Sequence, residues 1–473
     1  MPRGLVWRDT LNSRSLNMSA LAVNQSVTVF LAARASCCDV GAVRQTLGPE
    51  FAPWPEAGTR RRGVSPLRIN PFVSLFAASL VALLPVHAMA QTQASSDPNR
   101  PVSVRDRDRP EYDAPGRRLG TFNLNASLDL AIASTDNLFA APDGSPSDVD
   151  DIIYTVAPTA RLESDWSRHM VAFEAGATLR SHEDFSNEDA DDHYVRAQGR
   201  FDIGEATELR GSVRSAHQVT PRTDPDSPFI GDPVEYDRVD TGVGVSHRFA
   251  RFRVSADAVQ SDFDYDGAQN FRDNEESALR GRLDAELSPR LGLMLQASTD
   301  ERDYKNSPQF DSEGQSYLAG LTLDTDLMRG ELAVGQFERE YAGVAQTFDG
   351  VAIAANVEWY LTELTTLTLD ARRDADDQIG ATSGEPYITQ EYGARVDHEL
   401  LRNVILSGAV RMGDRDYETI AREDEYVEWE AGVDYMLNRN AVARFRYEHD
   451  EVDSPAYRDY EANRFTIGLT LRL

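Results

Sequence analysis

Cysteine and lysine are nearly missing from this chain. Its 473 residues include two cysteines, adjacent at Cys37 and Cys38, and a single lysine, Lys305. Both cysteines precede a predicted export cleavage site, so the exported chain has none, which excludes disulfides and thiolate metal sites. A chain that crosses an oxidising periplasm unfolded also gains by having no cysteine to mispair. Positive charge is short as well. Residues 1–90 hold nine Arg and four Asp or Glu of the chain's 48 basic and 78 acidic residues, leaving 39 and 74, a net charge near −35. That excess of carboxylate excludes nucleic acid as a partner, whose phosphates are bound by Lys and Arg. After residue 90 no apolar run approaches the roughly 20 residues of a spanning helix. Catalytic signatures are missing too: there is no Gly-x-Ser-x-Gly elbow, Walker loop or His-Glu-x-x-His pair. Ser181-His182 and Ser246-His247 are adjacent in sequence. Neighbours on a strand point to opposite faces, which defeats a nucleophile–base pair. Neither enzymatic activity nor a cofactor is expected.

What is present begins with a secretory signal set well inside the chain. Arg60, Arg61, Arg62 and Arg68 precede an apolar run from Phe72 to Val86, broken only by Ser74, Ser79 and Pro85. Ala88-Met89-Ala90 then supplies the small-x-small cleavage pattern. Residues 67–90 read as the signal peptide and 1–66 as an extended leader or a start codon assigned too far upstream. The exported chain is expected to begin at Gln91, downstream of the signal and bound for the outer membrane.

From residue 119 to the C-terminus the sequence alternates. At the end, Phe465, Ile467, Leu469, Leu471 and Leu473 share one face of a strand, while Arg464, Thr466, Gly468, Thr470 and Arg472 share the other. An apolar face opposite a charged one suits a strand between lipid and water. The same alternation marks Leu291 to Ser298, Val351 to Trp359 and Val404 to Met412. Tight turns recur at 165–168, 203–205, 249–251, 288–290, 327–330, 361–363, 401–403 and 437–440, roughly 34 to 45 residues apart, a hairpin repeat. Long acidic connections lie between them. Eight turns give sixteen strands, and one strand at each end (about 120–133 and 459–473) makes eighteen. The predicted fold is all-β: a transmembrane antiparallel up-and-down barrel of about 18 strands, with short turns on the periplasmic side and long loops outside.

A barrel of this size encloses an aqueous channel. The residues expected to face it are Arg280, Arg282, Asp284, Glu286, Asp324, Asp326, Glu358, Asp370, Arg372, Arg395, Asp397, Arg411, Glu428, Glu430, Asp434, Arg444, Arg446 and Glu448. Charged linings set solute preference in pores, although the same charges also serve simply to neutralise one another in a wet lumen. A motif recurs near the loops: Glu301-Arg302-Asp303-Tyr304, Glu338-Arg339-Glu340-Tyr341 and Asp414-Arg415-Asp416-Tyr417. Its tyrosines are expected in the outer aromatic girdle. His182, Glu183, Asp184, Glu188, Asp189, Asp191, Asp192 and His193 have oxygen donors that suit calcium, but their spacing matches no EF-hand loop and a solvated acidic loop explains them equally; no metal is assigned. Residues 91–118 are polar, with Pro98, Pro101, Pro110 and Pro115. They are expected to be disordered until bound, as a tether, a periplasmic docking segment or a plug.

The signal, the hairpin period, the acidic-Arg-acidic-Tyr motif and the final strand together resemble the outer-membrane β-barrel porins associated with exopolysaccharide gene clusters. The resemblance spans about three quarters of the chain. It departs at the terminus, where Leu473 stands in place of the usual Phe or Trp of the assembly signal. The resemblance implies passage of a polysaccharide, with outer-membrane lipid, the barrel-assembly machinery and a periplasmic polysaccharide-export protein as partners. A general diffusion porin for small solutes and a structural or adhesive barrel without transport are the alternatives. A pore for acidic glycan should line its constriction with arginine, whereas a general porin should set arginines against carboxylates.

Overall fold

The computed structural model describes residues 101–473 except 226, 228–230, 345–346, 380–383 and 456–457; the leader, the signal and residues 91–100 lie outside the described residues. The described chain is almost entirely strand. A three-residue strand β1 (Arg117–Leu119) precedes β2 (Phe122–Thr135), β3 (Asp151–Ser164), β4 (Met170–His182), β5 (Ala190–Ile203) and β6 (Thr207–Val219). Then come β7 (Glu235–Phe249), β8 (Phe252–Tyr265), β9 (Asn274–Ser288), β10 (Leu291–Tyr304), β11 (Ser312–Asp324) and β12 (Met328–Tyr341). The last are β13 (Thr347–Thr362), β14 (Thr365–Ile379), β15 (Gly384–Leu401), β16 (Val404–Tyr417), β17 (Arg422–Asn438), β18 (Ala441–Asp453) and β19 (Tyr460–Arg472).

Each strand pairs antiparallel with its sequence neighbours, and β19 returns to β2 with Ile467 opposite Ile132 and Arg472 opposite Ser127. β2 to β19 therefore form a closed antiparallel barrel of 18 strands. Closure leaves no free sheet edge facing lipid, the condition for crossing it with strands. Thirteen residues, the shortest wall strand (β4, for instance), span about 43 Å at roughly 3.3 Å per residue. Tilted by about 40°, that is still about 33 Å, more than the ~25 Å apolar band of such barrels.

All eight predicted tight turns join strands at one end of the barrel. The one expected at 327–330 sits slightly earlier, at 325–327, because Met328, Arg329 and Gly330 pair with Trp359, Glu358 and Val357. Three turns need left-handed backbone, one of them at His169 (φ 63°) between β3 and β4. Gly204 (φ 69°) supplies it freely, whereas Ala250 (φ 52°), in the two-residue link between Phe249 and Phe252, adopts it with a Cβ. At the other end the connections are longer and carry short 3-10 turns at Ser186–Glu188, Gly267–Arg272 and Pro308–Phe310.

Alternation fixes which face looks out. Leu279, Leu295, Val334 and Val243 are all more than half exposed, as are Phe465 (60%) and Ile467 (62%). In the terminal strand Leu471 and Leu473 are also exposed, and Leu469 lies on the same side. This apolar belt runs for about ten residues from the tight turns, which matches the band height. Beyond it the outward residues turn acidic. Glu301 stands opposite Glu313, Glu313 opposite Glu340, Glu338 opposite Asp349, Asp414 opposite Glu425 and Glu451 opposite Glu461. Like charges directly across a ladder repel, so this collar is held by the wall rather than holding it.

Candidate functional site: the inner face of the barrel

The opposite face is polar, and its arginines are tied to carboxylates. In β9, Arg282 reaches Asp284 on its own strand and Glu331 on β12, both at 2.9 Å. Arg280 is also buried and faces Asp257 across the β8–β9 ladder. Glu286, at the turn end of β9, is exposed. Asp324 is buried and paired with Arg329 (3.4 Å). Glu358 accepts the Tyr360 hydroxyl (2.8 Å), and Arg372 lies 3.6 Å from Asp374. Asp370 shares the inner face of β14 with Arg372 and stands opposite Gly393. Arg411 pairs with Glu391 (3.4 Å) and stands opposite Glu428 on β17.

The densest group sits toward the tight-turn end of β15, β17 and β18. Arg446 reaches Asp434 (2.6 Å) and Glu430 (3.2 Å); Arg395 reaches Asp397 (3.3 Å) and Glu430 (4.0 Å). Arg444 pairs with Asp129 of β2 (2.7 Å) and lies 3.8 Å from Asp434. Glu448, on the same face of β18, is buried.

Two expectations are corrected. Asp326 is not on the inner face: it lies in the β11–β12 turn, exposed, paired with Arg290 of the preceding turn (2.6 Å). The strand ends two residues before it, so the period of two cannot be extended that far.

The tyrosines of the repeated motif are not in the outer girdle. Tyr304, Tyr341 and Tyr417 are 7%, 6% and 2% exposed on the inner face. Arg and Tyr are two residues apart and must share a face, and arginine is drawn to the inward carboxylates. Arg302 pairs with Asp376 and Asp377 of β14, Arg339 with Asp300, and the Tyr341 hydroxyl donates to the Asp376 carbonyl (3.0 Å). The motif's acidic residues point out instead. Outward aromatics near the upper edge of the belt come from elsewhere, among them Tyr317, Tyr392 and Trp429.

The N-terminal segment, expected to order only when bound, is seen bound over residues 101–116, in the place of the plug alternative. It packs against the inner face of β14 to β19 at the tight-turn end. Val104 is fully buried among Ile405, Met436 and Val442, and its amide donates to Thr366 Oγ1 (2.9 Å). Arg105 bridges Asp397 (2.7 Å) and Asp434 (3.2 Å), and Arg107 and Arg109 both reach Glu399 (3.2 and 2.8 Å). From the wall, Arg402 donates to the Asp108 carbonyl (2.7 Å) and Arg472 to that of Tyr112 (2.8 Å). Burial draws the Arg109 guanidinium below its ordinary pKa, and the Glu399 carboxylate opposes the shift. The segment lacks apolar residues for a core of its own, but the barrel supplies both the pocket and the counter-charges.

At the opposite end two connections are bonded to each other. Arg458, buried in the β18–β19 connection, donates to the carbonyls of Asp224 and Ser227 in the β6–β7 connection (3.1 and 3.3 Å). Arg222 of that same connection makes a two-pronged pair with Glu188 (2.7 and 2.8 Å). Glu188 and Asp192, weighed above as calcium ligands, are thus committed to Arg222 and Arg180. Among the described residues no group of three or more His, Cys, Asp or Glu is arranged to hold a metal ion.

Sequence reasoning missed the inner charges of β3 to β8: Arg161 with Glu163 and Glu174, Arg200 with Asp202, Arg210 with Asp257, and Arg214 and Arg238 with Asp240. A signal was available. Arg-x-Asp or Arg-x-Glu puts a cation and its partner on one face, and 161/163, 200/202, 238/240, 282/284, 395/397 and 422/424 all carry it.

A closed 18-stranded wall, apolar outside and lined with ion pairs, defines a transmembrane β-barrel of the porin class. Residues 109–473 match the model of the family described as "Putative beta-barrel porin 2", and the chain belongs to that family. No curated protein shows significant sequence similarity to it. Among solved structures it is similar to Pseudomonas aeruginosa OccK2 (OpdF), at 12% identity and a TM-score of 0.44 over 74% of this chain and 98% of that one. OpdQ of the same organism gives 14% and 0.44 over 77% and 100%, and a BenF-like porin from Pseudomonas fluorescens Pf-5 gives 9% and 0.46 over 75% and 100%.

Proposed function

We propose that this porin is an outer-membrane channel for small charged hydrophilic solutes, reached after export and cleavage near Ala90. The observation that carries the reading is the pairing of inner-face arginines with carboxylates along the barrel wall, typified by Arg282 with Asp284 and Glu331 and by Arg446 with Glu430 and Asp434. Paired charges of both signs keep the lining polar and suit hydrophilic solutes without trapping ions of either sign. A track for an acidic polymer calls for arginines free of internal acids. Polysaccharide passage is the second reading. It rests on the resemblance drawn from the sequence, and a periplasmic export partner belongs to it.

Single-channel recordings in planar bilayers separate the two. The solute-channel reading expects open steps in simple salt, weak ion selectivity and little block by an acidic oligosaccharide. Block by acidic but not neutral oligosaccharides at micromolar concentration would favour the polymer. Silent insertion of correctly folded protein would count against an open channel of either kind.

A further inference from the structure

The N-terminal segment is bonded to the wall in a way that suits a movable part. Its hold on the barrel is mainly ionic: three arginines on Asp397, Glu399 and Asp434. Val104 is the one segment side chain that is fully buried in an apolar pocket of the wall. At its C-terminal end the segment joins β1, a strand of three residues that pairs only with β2. Glycines at positive φ bracket that strand, Gly116 at 66° and Gly120 at 65°. At Gly116 a Cβ would come within 2.4 Å of the Asn125 side chain, so glycine is required there.

The wall charges beneath the segment do not depend on it. Asp397 keeps Arg395, Asp434 keeps Arg446, and Glu399 keeps Arg402 at 3.6 Å. Departure of the segment therefore leaves no carboxylate of this group stranded. Removing a buried charge from its partner is costly only where nothing else compensates it.

We propose that residues 101–116 form a displaceable constriction of the periplasmic mouth, latched by Arg105, Arg107 and Arg109 and hinged at Gly116–Gly120. The proposal rests on the channel reading above. In the latched state the segment covers the inner face of six of the eighteen wall strands. Unlatched, it vacates that third of the mouth, and the current through the pore rises.

The test uses protein expressed from the full-length gene, purified in detergent and recorded in planar bilayers. The chain has no cysteine after Cys38. Val104→Cys with Val442→Cys can therefore be joined by a short cleavable thiol cross-linker and then released. A second variant, Arg105→Ala with Arg109→Ala, weakens the latch without touching the wall, and heat-modifiable gel migration reports folding of each. The cross-linked pair should conduct less than the parent and recover on cleavage. The double-alanine variant should conduct about two-fold more, or open more often, since a third of the mouth is cleared. Equal conductance in the linked, cleaved and alanine proteins, all folded, would overturn the constriction and leave the channel intact. Silence of every folded variant, the double-alanine one included, would overturn the channel reading and the constriction with it.

Discussion

Arg282 offers the sharpest measure of how wet the inner face is. Its side chain is 4% exposed and that of Glu331 10%, with 2.9 Å between nitrogen and oxygen. At a charge separation of about 4 Å the attraction is about 4 kcal/mol for an effective dielectric near 20 and about 1 kcal/mol in bulk water. A double-mutant cycle over Arg282→Gln, Glu331→Gln and the pair removes everything but their mutual term. The burial predicts a coupling of about 2–4 kcal/mol, with Arg282→Gln alone costing about 3 kcal/mol or more because Asp284 and Glu331 are left facing each other. Urea unfolding in lipid vesicles, followed by heat-modifiable migration and tryptophan fluorescence, gives the four stabilities. A coupling under about 1 kcal/mol would mean that water screens the pair fully, and the burial of Arg282 against Glu331 would be refuted.

Three further outcomes are expected. Ala250→Gly should raise stability by about 0.5–1 kcal/mol, because it removes a Cβ from a left-handed turn residue; an unchanged or lower unfolding midpoint would count against that turn geometry. Gly335→Ala should cost about 2 kcal/mol or more, since a Cβ there would lie 1.7 Å from the Tyr317 carbonyl oxygen; a variant as stable as the parent would disprove the close approach of β11 and β12. Glu313 stands between Glu301 and Glu340 on the outer collar, so Glu313→Gln should raise the melting temperature slightly in low salt. The gain should vanish near 1 M salt, where the Debye length is about 3 Å, and a gain that persisted there would not be relief of charge repulsion.

The barrel wall is legible in the amino-acid pattern alone. Period-two alternation, turns at hairpin spacing and the absence of any spanning helix specify strand number and the outward face, because each follows from local geometry. Phe465, Ile467, Leu469 and Leu471 could only share a side. The same rule placed Arg282 and Asp284 together, and applied to Arg302 and Tyr304 it would have kept that tyrosine out of the girdle. Which side chains meet along the inner wall was settled by the folded barrel. Arg302 finds Asp376 and Asp377 four strands away, and Arg444 finds Asp129 through the closure of β19 on β2. It also decided the fate of residues 101–116. Composition alone makes that stretch too polar to fold, and it is ordered because a pocket and carboxylates built from residues some 260 to 360 positions later receive it. Local pattern reads the wall, while partners distant in sequence become neighbours only when the sheet curls shut.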